Sequence, residues 1–162
     1  MAADQILSRP ADAAGLSITP GLLWAFSAWT EVFPASDFPS ADVTLLGMTC
    51  LYQRSSIGAD NTREMLFSIG VGAAGSEVEK IQLPMSARTD SVAGHFLGPM
   101  PMVFLPEPYL IPAGTRVAMR MAVADTTTFT YSGIKVFVQE AAAAVTASLI
   151  YNPFPQRLLR SL

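Results

Sequence analysis

Charge is scarce in this sequence. Only 14% of its residues are Asp, Glu, Lys or Arg, while 51% are hydrophobic; an ordinary soluble domain carries roughly 25% charged residues. A monomer of this composition leaves much neutral or apolar surface in water, and such surface marks contacts with partners. The net charge is −3 and the arginines are scattered. That excludes the basic patch with which nucleic-acid binders displace counterions, so no nucleic-acid partner is expected. No run of about 18 apolar residues is present to cross a membrane. The first 20 residues lack the basic leader and apolar run of a secretion signal, so synthesis in a cytosol is expected.

Histidine and cysteine occur once each, as His95 and Cys50. A single cysteine excludes an internal disulfide framework, and Cys50 reads as a small buried hydrophobe on a strand. A Ser-His-Asp or Cys-His set would have to use His95, which stands in Gly94-His95-Phe96 with no Gly-x-Ser-x-Gly elbow anywhere in the chain. One His and one Cys far apart in sequence make no transition-metal cluster. Asp125 with its three following threonines reads as a plain turn rather than a calcium loop. The run Gly70-Val71-Gly72-Ala73-Ala74-Gly75 has the spacing of a dinucleotide fingerprint, but the motif needs a helix directly after it, and Ser76 to Leu83 continues as strand. The expectation is therefore a protein that is not an enzyme, with no cofactor and no metal.

What the chain does contain is period-two alternation. Its 162 residues suit one domain. Val43 and Leu45 share a parity that changes after Gly47 to Met48, Cys50 and Tyr52, as a bulge would cause. Met65, Phe67, Ile69 and Val71 alternate, then Ile81, Leu83 and Met85, with Ser86 to Gly94 expected as loop. Phe96 to Leu105 is apolar but interrupted by prolines, which makes it an edge strand or an extended crossing. Pro112-Ala113-Gly114 turns the chain into the clearest strand, where Val117, Met119, Met121 and Val123 face one way. A short connection then leads to Phe129–Gln139, expected to pair with it as a hairpin, with a second bulge at Gly133. Residues 21–34 read as a first strand. On it Trp24 and Trp29 would point to opposite faces, one ring in the core and one at an interface. The expected core comprises Phe67, Ile69, Val71, Ile81, Leu83, Val117, Met119, Met121, Val123, Ile134 and Val136.

Seven or eight short strands without helical periodicity predict an all-β, antiparallel two-sheet sandwich, jelly-roll-like, with extended N- and C-terminal arms. Residues 1–20 form the N-terminal arm, 21–139 the sandwich and 140–162 a C-terminal extension. Arg116 and Arg120 lie on the outward face of their strand, their Cα atoms about 13 Å apart. They either grip carboxylates of a neighbouring chain across the small Ala118 or are simply solvated. In the extension, Tyr151 and Phe154 stand beside Pro153 and Pro155, which hold the backbone extended, and Arg157 and Arg160 follow among leucines. Arg116, Arg120, Tyr151, Phe154, Arg157 and Arg160 are the candidate interface residues.

The segment Leu110-Ile111-Pro112-Ala113-Gly114-Thr115-Arg116-Val117-Ala118-Met119-Arg120-Met121, followed by Tyr131-Ser132-Gly133-Ile134-Lys135-Val136, resembles tailed-bacteriophage virion proteins of jelly-roll or β-sandwich type. The resemblance spans about residues 40–140 and rests on structural motifs. It implies a capsid decoration (cement) protein or a tail accessory protein: a homo-oligomer, with a trimer favoured, that contacts other virion proteins such as a major capsid protein. It implies a virion location after synthesis in the host cytoplasm. It brings no catalytic residues with it. The alternative expectation is a tail or fibre β-sandwich that binds a carbohydrate or receptor.

Overall fold

The structure, a computed structural model, describes residues 5–21, 23–53, 61–89, 103–124 and 130–140. Nine strands occur there in chain order: β1 (Ile6–Arg9), β2 (Leu16–Ile18), β3 (Thr30–Phe33), β4 (Val43–Gln53), β5 (Asn61–Val71), β6 (Val78–Thr89), β7 (Val103–Ile111), β8 (Val117–Val123) and β9 (Tyr131–Glu140). One 3-10 turn, Ala35–Asp37, is the sole helical element among the described residues. Every named strand pair is antiparallel. The first sheet runs β1-β9-β4-β7 with β2 also on β9, and the second runs β3-β8-β5-β6. The protein is a two-sheet sandwich.

Sequence neighbours in this fold lie mostly in opposite sheets. Only β5 and β6 pair as a hairpin between consecutive strands; from β2 to β3, and at each step from β3 to β5 and from β6 to β9, the chain changes sheet. Counting β1 and β2 as two pieces of one edge strand, this is the eight-strand order of a jelly roll. The hairpin expected between β8 and β9 is therefore not formed: β8 pairs with β3 and β5, and β9 with β1, β2 and β4. A short connection is compatible with either arrangement, and burial decides between them, because both strands carry a full apolar face that each sheet needs at its centre.

The core lies between the sheets. Phe67, Ile69, Leu83, Val117, Met119, Met121, Val123, Ile134 and Val136 are buried there as expected, while Val71 and Ile81 are only partly buried against it. Phe33 and Phe38 meet edge to face, with ring centroids 5.4 Å apart, a favoured aromatic geometry.

Both expected bulges have register shifts. One falls between Leu45 and Gly47 in the pairing of β4 with β9. A side chain at Gly47 would collide with the Val103 carbonyl oxygen, 2.3 Å from where its Cβ would stand. The other shift falls between Leu16 and Ile18 of β2, opposite Tyr131 and Ile134. Prolines sit at the edges: Pro106 and Pro108 in β7, Pro84 in β6, where a missing N–H costs no ladder bond.

Several boundaries differ from those expected. The strand anticipated over 21–34 is confined to Thr30–Phe33, and β6 continues through Ser86 to Thr89. Of the edge strand or extended crossing expected over 96–105, only the part from Val103 lies in the described residues. Residues 6–9 and 16–18 of the expected N-terminal arm pair with β9 of their own chain. Ile18 is in the core, and the Arg9 guanidinium pairs with Asp37 at 2.9 Å. Strands of four and three residues are too short to display a period, which is why composition dominated the reading there.

Candidate functional site

Arg116 and Arg120 do face outward from the second sheet, and the carboxylates they grip belong to their own chain. Arg116 Nε donates to Glu31 Oε2 at 2.6 Å and its Nη1 to Glu77 Oε1 at 2.8 Å. Arg120 Nη2 donates to Glu79 Oε2 at 2.9 Å. Glu79 also accepts from Ser68 Oγ, and from Gln82 Nε2 at 2.7 Å. The arginines stand at the start of β8 and within it, and their partners Glu77 and Glu79 just before and within β6, with β5 between. They reach across because the outward residues of β5 at this level are Ser68 and Gly70, too small to block the path.

The electrostatics follow from these contacts. The hydrogen bond from Arg116 holds the Glu77 carboxyl below its ordinary value. Glu79 is likewise lowered, chiefly by the Ser68 hydroxyl and then by Arg120. The Arg116 guanidinium is raised in return, mainly by Glu77.

Aromatic rings complete this layer. The Arg120 guanidinium carbon lies 4.3 Å from the Phe26 ring centroid and 4.4 Å from that of Trp29, within cation–π range of both. The Trp29 indole extends over β8 to Gly70 on the next strand, where an added Cβ would stand 2.7 Å from Trp29 Cη2. The space over Ala118 that appeared open to a partner is thus filled by the chain itself, and Ala118 is fully buried. Neither tryptophan belongs to the core cluster. The sequence reading missed Glu31, Glu77 and Glu79. Small residues at 68 and 70 and acidic residues of one parity at 77 and 79 were the available signal, but it acquires meaning only once β5 is known to lie between β6 and β8.

With Arg116 and Arg120 paired inside the chain, the exposed large apolar groups stand out. Leu23 and Trp24 are consecutive residues in left-handed backbone, φ 51° and 65°, a conformation costing about 1–3 kcal/mol for a non-glycine residue. Both project into solvent, 66% and 47% exposed. The turn is fastened to β8: Trp24 N–H donates to the Val123 carbonyl at 2.8 Å, and Ser27 N–H to that of Met121 at 2.9 Å. A second apolar surface lies on the outer face of the first sheet. There Leu110, Thr44, Gln139 and Ile6 form one row across four strands, and Leu110 and Ile6 are each 54% exposed. The next row contains Phe104 and Phe137.

Of the other candidates, Tyr151, Phe154, Arg157 and Arg160 lie outside the described residues, as do His95 and Asp125. Cys50 is buried in the core, its Sγ 3.8 Å from the Ser132 carbonyl oxygen. Residues 70–75 end β5 and turn into β6, a strand-turn-strand without the helix that a dinucleotide fingerprint opens. Among the described residues no His, Cys, Asp and Glu cluster is placed to hold a metal ion, and no helix is long and apolar enough to cross a membrane. No protein-family model matches the chain, and no curated protein sequence matches it.

Proposed function

We propose that this chain is a non-enzymatic structural protein of a tailed-phage virion, a capsid decoration protein that binds the shell through subunit contacts and terminal arms. The observation that carries the assembly part is the division of the surface. Arg116 and Arg120 on the outer face of the second sheet are paired with Glu31, Glu77 and Glu79 of the same chain, while large apolar side chains are held out in solvent at a strained turn and on the opposite sheet. A fold that spends strain to display Leu23 and Trp24 has a use for that display. The virion part, and the trimer, rest on the sequence resemblance of residues 110–121 and 131–136.

Sedimentation of the purified chain tests the assembly part. A discrete symmetric oligomer, together with binding to shells of the parent phage, is the expected result. A stable monomer at high micromolar concentration that ignores such shells removes this reading.

The exposed indole of Trp24 favours a second reading, a sandwich that binds a carbohydrate or receptor, since sugars stack on such rings. Quenching of tryptophan fluorescence by an oligosaccharide, lost in Trp24→Ala, would establish it.

A further inference from the structure

We infer that the outer face of the first sheet is the seat for residues 149–162 of a neighbouring copy of this chain. The inference rests on the assembly reading above and names which surfaces meet.

The first support is where the described chain stops. β9 ends at Glu140, one residue past Gln139 in the row Leu110–Thr44–Gln139–Ile6. Another 22 residues follow, 141–162. They leave from an interior strand of the sheet that carries the apolar face.

The second support is reach and direction. Residues 141–147 read Ala-Ala-Ala-Ala-Val-Thr-Ala and contain none of the Gly, Pro, Asn, Asp or Ser residues that reverse a chain tightly. A tight reversal there, back onto the face of the same copy, is therefore disfavoured. When extended, the eight residues 141–148 span up to about 29 Å, enough for the following segment to reach an adjacent copy beyond the end of β9.

The third support is chemical match. Leu149, Ile150, Tyr151 and Phe154 are large and apolar, and Pro153 and Pro155 favour an extended backbone that suits a flat sheet surface. Leu110, Ile6 and Phe104 give that surface three large apolar side chains, each more than half exposed. Arg157 and Arg160 of the segment complement Glu107, exposed on the edge strand β7 of this sheet. Lys135 on the same face is turned to the Asp12 carbonyl.

The test uses the full chain, the chain truncated after residue 148, full-length Leu110→Asp and, as a second face variant, Ile6→Asp. Circular dichroism and melting temperature establish that each is folded. Sedimentation should show the full chain as an oligomer and the truncated and Leu110→Asp chains as smaller species. A labelled peptide of residues 149–162 should bind the truncated chain, and at least tenfold more weakly once Leu110→Asp or Ile6→Asp is added. Mixing the truncated chain, which keeps the face, with Leu110→Asp, which keeps the segment, should restore a complex that neither forms alone. A peptide that fails to bind, or binds the face variants equally well, overturns the inference. A full chain that is monomeric while its own face excludes the peptide overturns the neighbouring-copy assignment. If the mixed complex forms but the chain does not attach to phage shells, the decoration reading falls and this contact stands.

Discussion

The indole of Trp29 rests on the bare Cα of Gly70, two strands away, so closely that a methyl group there would stand 2.7 Å from Cη2. The same ring and that of Phe26 both lie within cation–π range of the Arg120 guanidinium. One glycine therefore supports a layer of stacked side chains on the outside of the sheet. Gly70→Ala should push the indole off its site and destabilise the protein by about 1–3 kcal/mol. The check is a shift in tryptophan emission together with a lower denaturation midpoint. An unchanged spectrum would place the indole elsewhere.

Arg120→Lys separates charge from shape at the same site. Lysine can still meet Glu79, but it lacks the planar guanidinium that contacts both rings. A loss of about 0.5–2 kcal/mol is expected, and Arg120→Lys combined with Phe26→Ala should cost less than the sum of the two single changes. Full additivity in urea denaturation would mean that the stack contributes nothing.

Acid should weaken the fold through Glu77 and Glu79. Both are lowered from the ordinary value of 4.5, so the unfolded chain binds protons more readily than the folded one. Their contribution is present above the ordinary value and disappears as the pH falls through the lowered ones. Stability should therefore be level above about pH 5 in this respect and decline below it. Glu77→Gln should flatten part of that decline, as read from melting temperatures between pH 3 and pH 7.

In the core, Met119 and Ile69 are almost completely buried in facing positions of β8 and β5. Replacing either with Ala should cost about 2–5 kcal/mol. Urea midpoints check this, with an unchanged slope showing that the native fold is retained.

Cys50 has no exposed surface. Its thiol should react with a bulky disulfide reagent only as fast as the protein opens, and at once in denaturant. Prompt labelling of the native chain would contradict the burial.

Period-two alternation by itself determined that this protein is all β, most of the side chains that fill its core, and where the chain kinks at Gly47. Those properties depend on residues one or two positions apart, and a strand's two faces are written in that spacing. It also separated Arg116 and Arg120 from the core, since both fall on the opposite parity to Val117, Met119 and Met121. Tertiary structure alone decided which strands pair. A jelly roll sends consecutive strands to opposite sheets, so the partner of β8 is not its successor β9 but β5, about 50 residues earlier in the chain. From that pairing follows the fate of the arginines: Glu77 and Glu79 become reachable only when small residues of β5 lie between. Leu23 and Trp24 were hidden from the sequence reading for a related reason. Leucine and tryptophan are poor residues for left-handed backbone, and only the hydrogen bonds from the turn to Val123 and Met121, about 100 residues later in the chain, hold them there and turn an apparent strand into an exposed apolar knob.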